Sequence, residues 1–307
     1  MRDAPKAWIT TAIGRLDLIR DLDRLRRAIS PGLLRLATGA LVAVCIGGGE
    51  ANAQEKDKVA PPAADSADLA KKLSNPVASL ISVPLQSNFD FGIGPENDGW
   101  RYQLNVQPVI PVSIGDDWNV ISRTILPIIY QDDIFPGAGS QFGLGDTTQS
   151  FFFSPKAPLF DFLILGAGPV LLVPTGTDKL LGTEKFGIGP TLVALTQAGP
   201  WTVGILANHI ESVAGAHDRA DVSSTFLQPF VSYTTANAWT YSVNTESSYN
   251  WEQRQWSVPV NLAVSKLLKI ESQAVSIGAG LRYWAESPES GPEGFGGRFI
   301  VTFLFPE

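Results

Sequence analysis

Histidine is the first residue type to test for chemistry, and the chain contains two, His209 and His217. A serine-type hydrolase needs a hydroxyl nucleophile within hydrogen-bond reach of a histidine that a third group orients. His209 and Ser212 are three residues apart, a spacing that puts side chains on opposite faces of a strand. Histidines at metal-binding spacing do not occur either. We therefore predict neither enzymatic activity nor a cofactor or metal.

A second group of polar side chains alternates with apolar residues along the sequence. We predict that these polar side chains line the interior of a closed β-sheet. Inside a closed sheet, charges pair or meet water, so they form either an ion-paired filling or a pathway with a transverse field. Phe226 and Phe230 share the parity of Gln228, which suits either apolar solutes or a packed plug. The predicted lining residues are Arg101, Gln103, Asn105, Gln107, Arg123, Asn208, Gln228, Asn244, Glu246, Asn261, Arg282 and Arg298.

The elements that position these residues are long strands, of which the stretch 100–130 is the clearest example. Tyr102, Leu104 and Val106 fall on one parity, with Arg101 and Gln103 on the other, and this period of two indicates a strand with one apolar face. A Gly-Asp-Asp turn at 115–117 predicts an antiparallel return. Each arm has roughly 10 to 13 residues, and a tilted strand crosses a bilayer with about 9 to 11.

The same pattern recurs to the end of the chain and predicts about twelve strands. Short connections alternate with longer ones, the arrangement of outer-membrane barrels, whose short turns are periplasmic. Trp118, Trp201 and Trp239 each follow a short turn, as an aromatic girdle requires. A second, outer girdle is predicted near the opposite strand ends, formed by Tyr130, Tyr249, Trp251, Trp256, Tyr283 and Trp284. We therefore predict an all-β, transmembrane, antiparallel up-and-down β-barrel; the alternative is a soluble β-sandwich with an aromatic core. The predicted strands span 78–90, 100–114, 118–130, 144–155, 161–174, 186–197, 201–212, 223–235, 238–249, 255–268, 274–286 and 295–305.

The N-terminal region has the features of an export signal. Arginines precede an apolar core from Leu36 to Ile46, and small residues follow, which predicts a signal peptide helix over 1–53 with cleavage before Gln54. The alternative is a single membrane anchor, for which the core is short. Residues 54–76 are predicted to form a flexible periplasmic tether with a helical turn at Leu69–Leu73, and 77–307 the barrel.

The net charge of the chain and the residues of its last strand indicate which binding partners to expect. Residues 54–307 carry 15 Lys and Arg against 25 Asp and Glu, a net charge of −10, so nucleic acid is excluded as an expected partner. Acidic residues in the long loops could hold divalent cations against lipopolysaccharide, and the outward row is expected to contact outer-membrane lipid. The last strand carries an aromatic row ending at Phe305, a signal for barrel-assembly machinery, although Pro306 and Glu307 follow it.

Several segments resemble a large family of Gram-negative outer-membrane barrel proteins. The segments are QFGLGD at 141–146, FFFSP at 151–155, NPVASLISVPLQSNFDF, QPVIPVS, ISRTILPIIYQDDIF, LGTEKFGIGPT and GPEGFGGRF, and the resemblance covers roughly 73–307. That family is labelled transporter, or associated with the meta-cleavage pathway of phenol degradation, and some members carry a misapplied neuromedin-type name. The resemblance implies an outer-membrane β-barrel with a transport role, and it carries over no binding residues.

Two functions fit these observations. The first is a porin-like barrel in the outer membrane that allows passive uptake of a small solute, aromatic or otherwise apolar. The second is a structural or binding barrel with a plugged lumen, whose long loops contact lipopolysaccharide or a partner. Twelve strands lie between the roughly eight that fill with side chains and the 16 to 18 that leave an open channel. A narrow or partly plugged pore is therefore expected.

Overall fold

The computed structural model describes residues 63–305, which form one α-helix and fifteen β-strands. The helix, α1, spans Ala63–Leu73. The strands are β1 Ile81–Ile93, β2 Gly99–Val106, β3 Val109–Ile114, β4 Trp118–Asp132, β5 Ser140–Leu144, β6 Thr147–Pro155, β7 Leu163–Val173, β8 Lys185–Ala198, β9 Trp201–Gly215, β10 Ser223–Thr234, β11 Trp239–Thr245, β12 Ser247–Asn250, β13 Gln255–Ile270, β14 Gln273–Glu286 and β15 Gly294–Phe305. The predicted signal peptide and its cleavage site lie outside the described residues.

The strands form a single closed antiparallel barrel of twelve staves. β2 and β3, β5 and β6, and β11 and β12 each make one stave, because both members of a pair bond to the same neighbouring strand. The first strand pairs with the last, from Ile81 opposite Phe305 to Phe89 opposite Gly297. All staves pair with two neighbours, so the barrel has no open edge, and the predicted twelve-stranded antiparallel barrel is confirmed.

Some predicted strand bounds were wrong, for local reasons. The first strand begins at Ile81 rather than 78, because residues 74–80 pack inside the barrel. The second stave breaks at Pro108, which has no N–H for the ladder. The fourth and ninth staves break beside Asp146 and Glu246, where each carboxylate serves contacts outside the ladder.

The alternation of side chains separates the two faces as predicted. The outward row is apolar and exposed, as at Val112, Leu262 and Phe299. The inward row includes Asn105 and Arg298, which are buried. The connections at the end carrying Trp118, Trp201 and Trp239 have two to seven residues, whereas the longest, 174–184, is at the opposite end. We call these the short-turn end and the loop end.

The helix differs from its prediction. It spans eleven residues rather than the five of Leu69–Leu73, so this part of the predicted tether is ordered and packed. Ala70 and Leu80 contact Leu267 and Leu304 at the short-turn end of the barrel. Within residues 63–305, no helix has the length and apolar character needed to cross a membrane.

Candidate functional site: the barrel lumen

The strand register places all twelve predicted lining residues on the inward side. Nine of them join in direct hydrogen bonds or ion pairs with one another, and six of these nine form pairs: Arg123 with Gln107, Gln103 with Asn105, and Asn261 with Asn244. Glu246 joins Arg282 and Arg298. Arg101 bonds to an inward glutamine that was not predicted, and Asn208 and Gln228 face the lumen opposite Phe226 and Leu206 in the β9–β10 register. The twelve therefore occupy one lumen, arranged as several small groups.

The densest of these groups surrounds Glu246. Arg298 donates to both carboxylate oxygens, with Nη1 2.9 Å from Oε1 and Nη2 2.7 Å from Oε2, and Arg282 Nη1 lies 3.0 Å from Oε2. Arg298 Nε also donates to Asn88 Oδ1 at 2.8 Å. These are bidentate, charge-assisted hydrogen bonds, which have a fixed geometry. They connect the ninth stave to β14 and β15 and narrow the middle of the lumen.

A second carboxylate, Asp90, extends this group toward the loop end. Its Oδ1 lies 3.0 Å from Arg282 Nε and accepts a 2.8 Å hydrogen bond from Trp284 Nε1. Trp284 also stacks on the Arg282 guanidinium at 4.8 Å. The sequence pattern had assigned Trp284 to the outer aromatic girdle, and that assignment was wrong. Neighbouring residues on a strand face opposite sides, so Tyr283 takes the outward position.

Arg101 and Arg123 are held differently, by amides instead of carboxylates. Arg101 Nε donates to Gln131 Oε1 at 2.9 Å, and Arg123 Nη2 donates to Gln107 Oε1 at 3.0 Å. Within residues 63–305, neither guanidinium has a carboxylate oxygen within 4.0 Å. Both side chains point inward and are partly exposed. Their charge is therefore not neutralised by direct ion pairing.

The opposite wall of the lumen is apolar. Ile121, Phe152, Val193 and Leu206 form a buried cluster on β4, β6, β8 and β9, and Phe226 and Phe230 of β10 pack against it. Sequence parity had placed both phenylalanines inward, where the structure has them. The lumen thus has a polar wall around β1, β2, β4 and β13–β15, whereas the wall from β6 to β10 is mostly apolar apart from Asn208 and Gln228.

The loop end is narrowed by the connection 174–184. Asp146 holds this loop: its Oδ1 accepts from Gly176 N at 3.0 Å, and its Oδ2 accepts from Thr183 N and Thr183 Oγ1, both at 2.6 Å. A Cβ on Gly182 would lie 2.7 Å from Asp146 Oδ1, so only glycine allows this approach. The contact explains two of the sequence motifs together, QFGLGD and LGTEKFGIG, because Asp146 ends the first and Thr183 belongs to the second.

Two further contacts fix the same loop over the lumen. The inward Gln131 Nε2 donates to Leu180 O at 3.3 Å, and Leu181 is buried. Arg219 donates to three loop carbonyls, those of Lys179, Gly182 and Thr183, at 2.8, 2.6 and 3.3 Å. The loop is therefore bonded both to the barrel wall and to the connection between β9 and β10.

The short-turn end is closed by residues 66–80, which we call the plug. Val77 packs into the apolar cluster around Phe152, and Leu80 packs with Leu304, each about 5% exposed. Polar contacts add to these: Gln197 Nε2 donates to Lys71 O at 3.0 Å. Phe152 has no solvent-accessible surface, so no water-sized space adjoins it. The sequence offered little warning, because a short segment with scattered alanine and valine is common in tethers.

His209 lies on the outward wall, as its parity predicted, and its hydroxyl neighbour is Thr225 rather than Ser212. The distance from His209 Nδ1 to Thr225 Oγ1 is 2.9 Å, and Nε2 lies 3.4 Å from Glu211. Trp251 Nε1 donates to the same Thr225 oxygen at 2.8 Å, which fixes an indole of the outer aromatic girdle. Among residues 63–305, no three His, Cys, Asp or Glu side chains form a metal-binding group.

An apolar groove of about 470 Å³ lies on the outward wall and not in the lumen. Tyr241, Val243, Leu262, Val264 and Leu281 line it, and all belong to the outward row. Such a surface suits lipid chains, so the groove is not part of a path through the barrel.

Comparisons with known proteins agree with the architecture. No family model and no curated protein matches this sequence. Among solved structures, the COG4313 outer membrane channel from Pseudomonas putida F1 matches with a TM-score of 0.57 at 14% identity, over 83% of this chain and 100% of that one. The NanC porin has a TM-score of 0.46 at 8% identity, covering 74% and 100%. Outer membrane phospholipase A from Escherichia coli has a TM-score of 0.41 at 10% identity, covering 75% and 99%. At these identities the comparisons establish one thing, that this chain has the β-barrel fold of outer-membrane proteins.

Proposed function

We propose that this protein is an outer-membrane β-barrel that allows passive uptake of small solutes with an aromatic or otherwise apolar part. The observation that carries the proposal is a closed barrel whose outward row is apolar while arginines and amides line its interior. A bilayer tolerates strands only in such a closed form, because all backbone groups must be satisfied. The solved outer membrane channel with the same fold and the sequence resemblance to transporter-type barrels support it.

The same proposal specifies how the protein would be exported and what it would contact in the outer membrane. A signal peptide cleaved before Gln54 would deliver the chain to the periplasm, and the aromatic row of β15 would engage the assembly machinery. The outward row would contact outer-membrane lipid, and the acidic long loops would face lipopolysaccharide.

A second function is favoured by the plug, which closes the short-turn end. With the plug in place, the protein would be a sealed structural or binding barrel whose loops contact lipopolysaccharide or a partner. Complete burial of a side chain such as Val77 or Leu80 stabilises by about 1.5–3 kcal/mol. The plug is therefore held firmly enough to be a stable filling, and its movement decides between the two functions.

The deciding experiment locks the plug in place. Residues 54–307 contain no cysteine. A Cβ on Gly166 would lie 3.1 Å from Val77 Cγ1, so Val77→Cys with Gly166→Cys falls within disulfide range. Refolded residues 54–307 are recorded in planar bilayers, oxidised and then reduced.

A solute channel predicts current that oxidation abolishes and reduction restores, whereas either single cysteine variant stays insensitive. A variant lacking residues 63–80, and therefore the whole plug, is recorded beside it. If neither the wild-type chain nor this plug-deleted variant conducts, the channel proposal is refuted and the sealed barrel is supported.

A further inference from the structure

The charge of the lumen differs in sign from that of the chain. The whole protein has a formal net charge of −7. The polar wall nevertheless brings four arginines together with two carboxylates, giving a local excess of two positive charges. The six residues are Asp90, Arg101, Arg123, Glu246, Arg282 and Arg298.

This excess resides on Arg101 and Arg123. Glu246 forms ion pairs with Arg282 and Arg298, and Asp90 forms one with Arg282. Asp90 is also opposite Arg101 in the strand register, but the guanidinium groups of Arg101 and Arg123 contact amide oxygens and not carboxylates. An amide oxygen orients a guanidinium without cancelling its charge. A guanidinium has five N–H donors, and the described residues use one on each of the two arginines. The remaining donors can meet a ligand from the lumen.

The two arginines lie at successive depths. Arg101 is opposite Gln131 in the register, eight residues along β4 from Arg123. Eight residues correspond to about 27 Å along a strand and, at a tilt of about 45°, to roughly 19 Å along the barrel axis. An anion entering from the loop end therefore meets Arg101 first and Arg123 second, with the group around Glu246 on the neighbouring wall.

The wall facing Arg123 is apolar. Arg123 belongs to the third stave and Phe230 to the eighth, so they lie on nearly opposite sides of the twelve-stave ring. Phe226 and Phe230 offer partly exposed aromatic surface there. One wall thus presents unneutralised guanidinium groups, and the other presents phenyl rings.

From this juxtaposition we infer that the solute class is organic monocarboxylates with an apolar body, such as arene carboxylates. The carboxylate takes hydrogen bonds from Arg101 and then from Arg123, a pairing whose planar geometry suits guanidinium. The apolar body lies against Phe226 and Phe230. This inference rests on the proposed channel function and specifies what the channel passes.

The test measures ion selectivity and block in planar bilayers, using whichever of the wild-type and plug-deleted forms conducts. Under a KCl gradient, we expect a reversal potential of the sign for chloride selectivity. Benzoate should block the chloride current at concentrations about tenfold below acetate, because acetate lacks the aromatic body, and benzylammonium should not block. Arg101→Gln and Arg123→Gln should each weaken benzoate block about tenfold, the usual effect of losing a hydrogen bond to a charged group.

Matched variants separate the binding role from a structural one. Arg254→Gln removes the same charge from an exposed loop-end turn and should change nothing. Arg101→Lys and Arg123→Lys should keep anion selectivity while weakening benzoate block. Phe230→Ala should bring benzoate block toward that of acetate without changing chloride selectivity.

The outcomes distinguish this inference from the function on which it rests. Cation selectivity, equal block by benzoate and benzylammonium, or unchanged block in both Arg→Gln variants overturns the carboxylate inference and leaves the channel intact. Absence of current from both the wild-type and the plug-deleted forms refutes the channel and the inference with it.

Discussion

Substituting Glu246 by glutamine tests whether the ion cluster holds the barrel together. The carboxylate accepts three hydrogen bonds, two from Arg298 and one from Arg282, at 2.7–3.0 Å. Glutamine keeps the shape, removes the charge and places an amide N–H₂ against a guanidinium. Removing one partner of a buried ion pair costs about 3–5 kcal/mol, because the other charge stays behind uncompensated.

The arginines keep other contacts in Glu246→Gln, and these contacts determine where in that range the loss of stability should lie. Arg282 keeps Asp90 3.0 Å from its Nε, and Arg298 keeps its hydrogen bond to Asn88. We therefore expect a loss of about 3 kcal/mol in the free energy of unfolding, near the lower limit. The assay is urea unfolding of the barrel refolded in phospholipid vesicles, followed by tryptophan fluorescence.

A matched variant and a double substitution make this prediction specific. Glu252→Gln makes the same change in an exposed loop-end turn and should alter stability by less than about 0.5 kcal/mol. Glu246→Gln combined with Arg298→Gln should cost less than the two single changes added together, since the charge left unpaired is gone. A loss below about 1 kcal/mol for Glu246→Gln, with an unchanged urea slope, would refute the view that this cluster is a closed electrostatic unit.

Three further outcomes are expected. Leu262→Arg, in the middle of an outward row, should destabilise the barrel in bilayers by about 2–4 kcal/mol, measured by the same unfolding assay, and an effect under about 0.5 kcal/mol would argue that this row does not face lipid. Gly189→Ala should destabilise by about 1–3 kcal/mol, because its Cβ would meet a neighbouring carbonyl oxygen at 1.8 Å, whereas Gly297→Ala has 3.9 Å of space and should be neutral. Lys185 donates a hydrogen bond to Asp221 and lowers the pKa of that carboxyl below its usual 3.8. The contact between them should therefore persist above pH 3.8 and weaken as the pH falls through the lowered pKa, which proteolysis of the loop would detect. Asp221→Asn should abolish this acid dependence.

The regular part of the barrel was predictable because one rule governs it. Alternation of side chains is strict on a strand, so the parity of Tyr102 and Leu104 against Arg101 and Gln103 fixed which face met water. Strand length, tryptophans after short turns and an even number of staves followed from the same repeat. The polar lining was predicted in this way without knowledge of any contact.

The features that sequence reasoning missed lie where side chains interrupt the alternation of inward and outward residues. Asp146 and Glu246 break their staves because their carboxylates bond to a distant loop and to two arginines, contacts that no local pattern encodes. Trp284 was placed outward because aromatic residues cluster near the barrel rims. Its indole N–H instead donates to Asp90, which is 194 positions away in the sequence. A partly plugged pore was expected, but Val77 and Leu80 were not identified as plug residues, because nothing in their local sequence distinguishes them.

The plug is also covalently joined to β1, the strand that closes the barrel, and it therefore stays tethered to the barrel when it is displaced. From Ala70 to Ile81 the chain reaches at most about 36–40 Å when extended, so a displaced helix stays near the mouth it left. Such tethering gives an effective concentration in the millimolar range, independent of how much protein is present. Reclosure would therefore be a first-order event, and a detached peptide with the sequence of residues 63–80 would need millimolar amounts to shut a barrel that lacks its own.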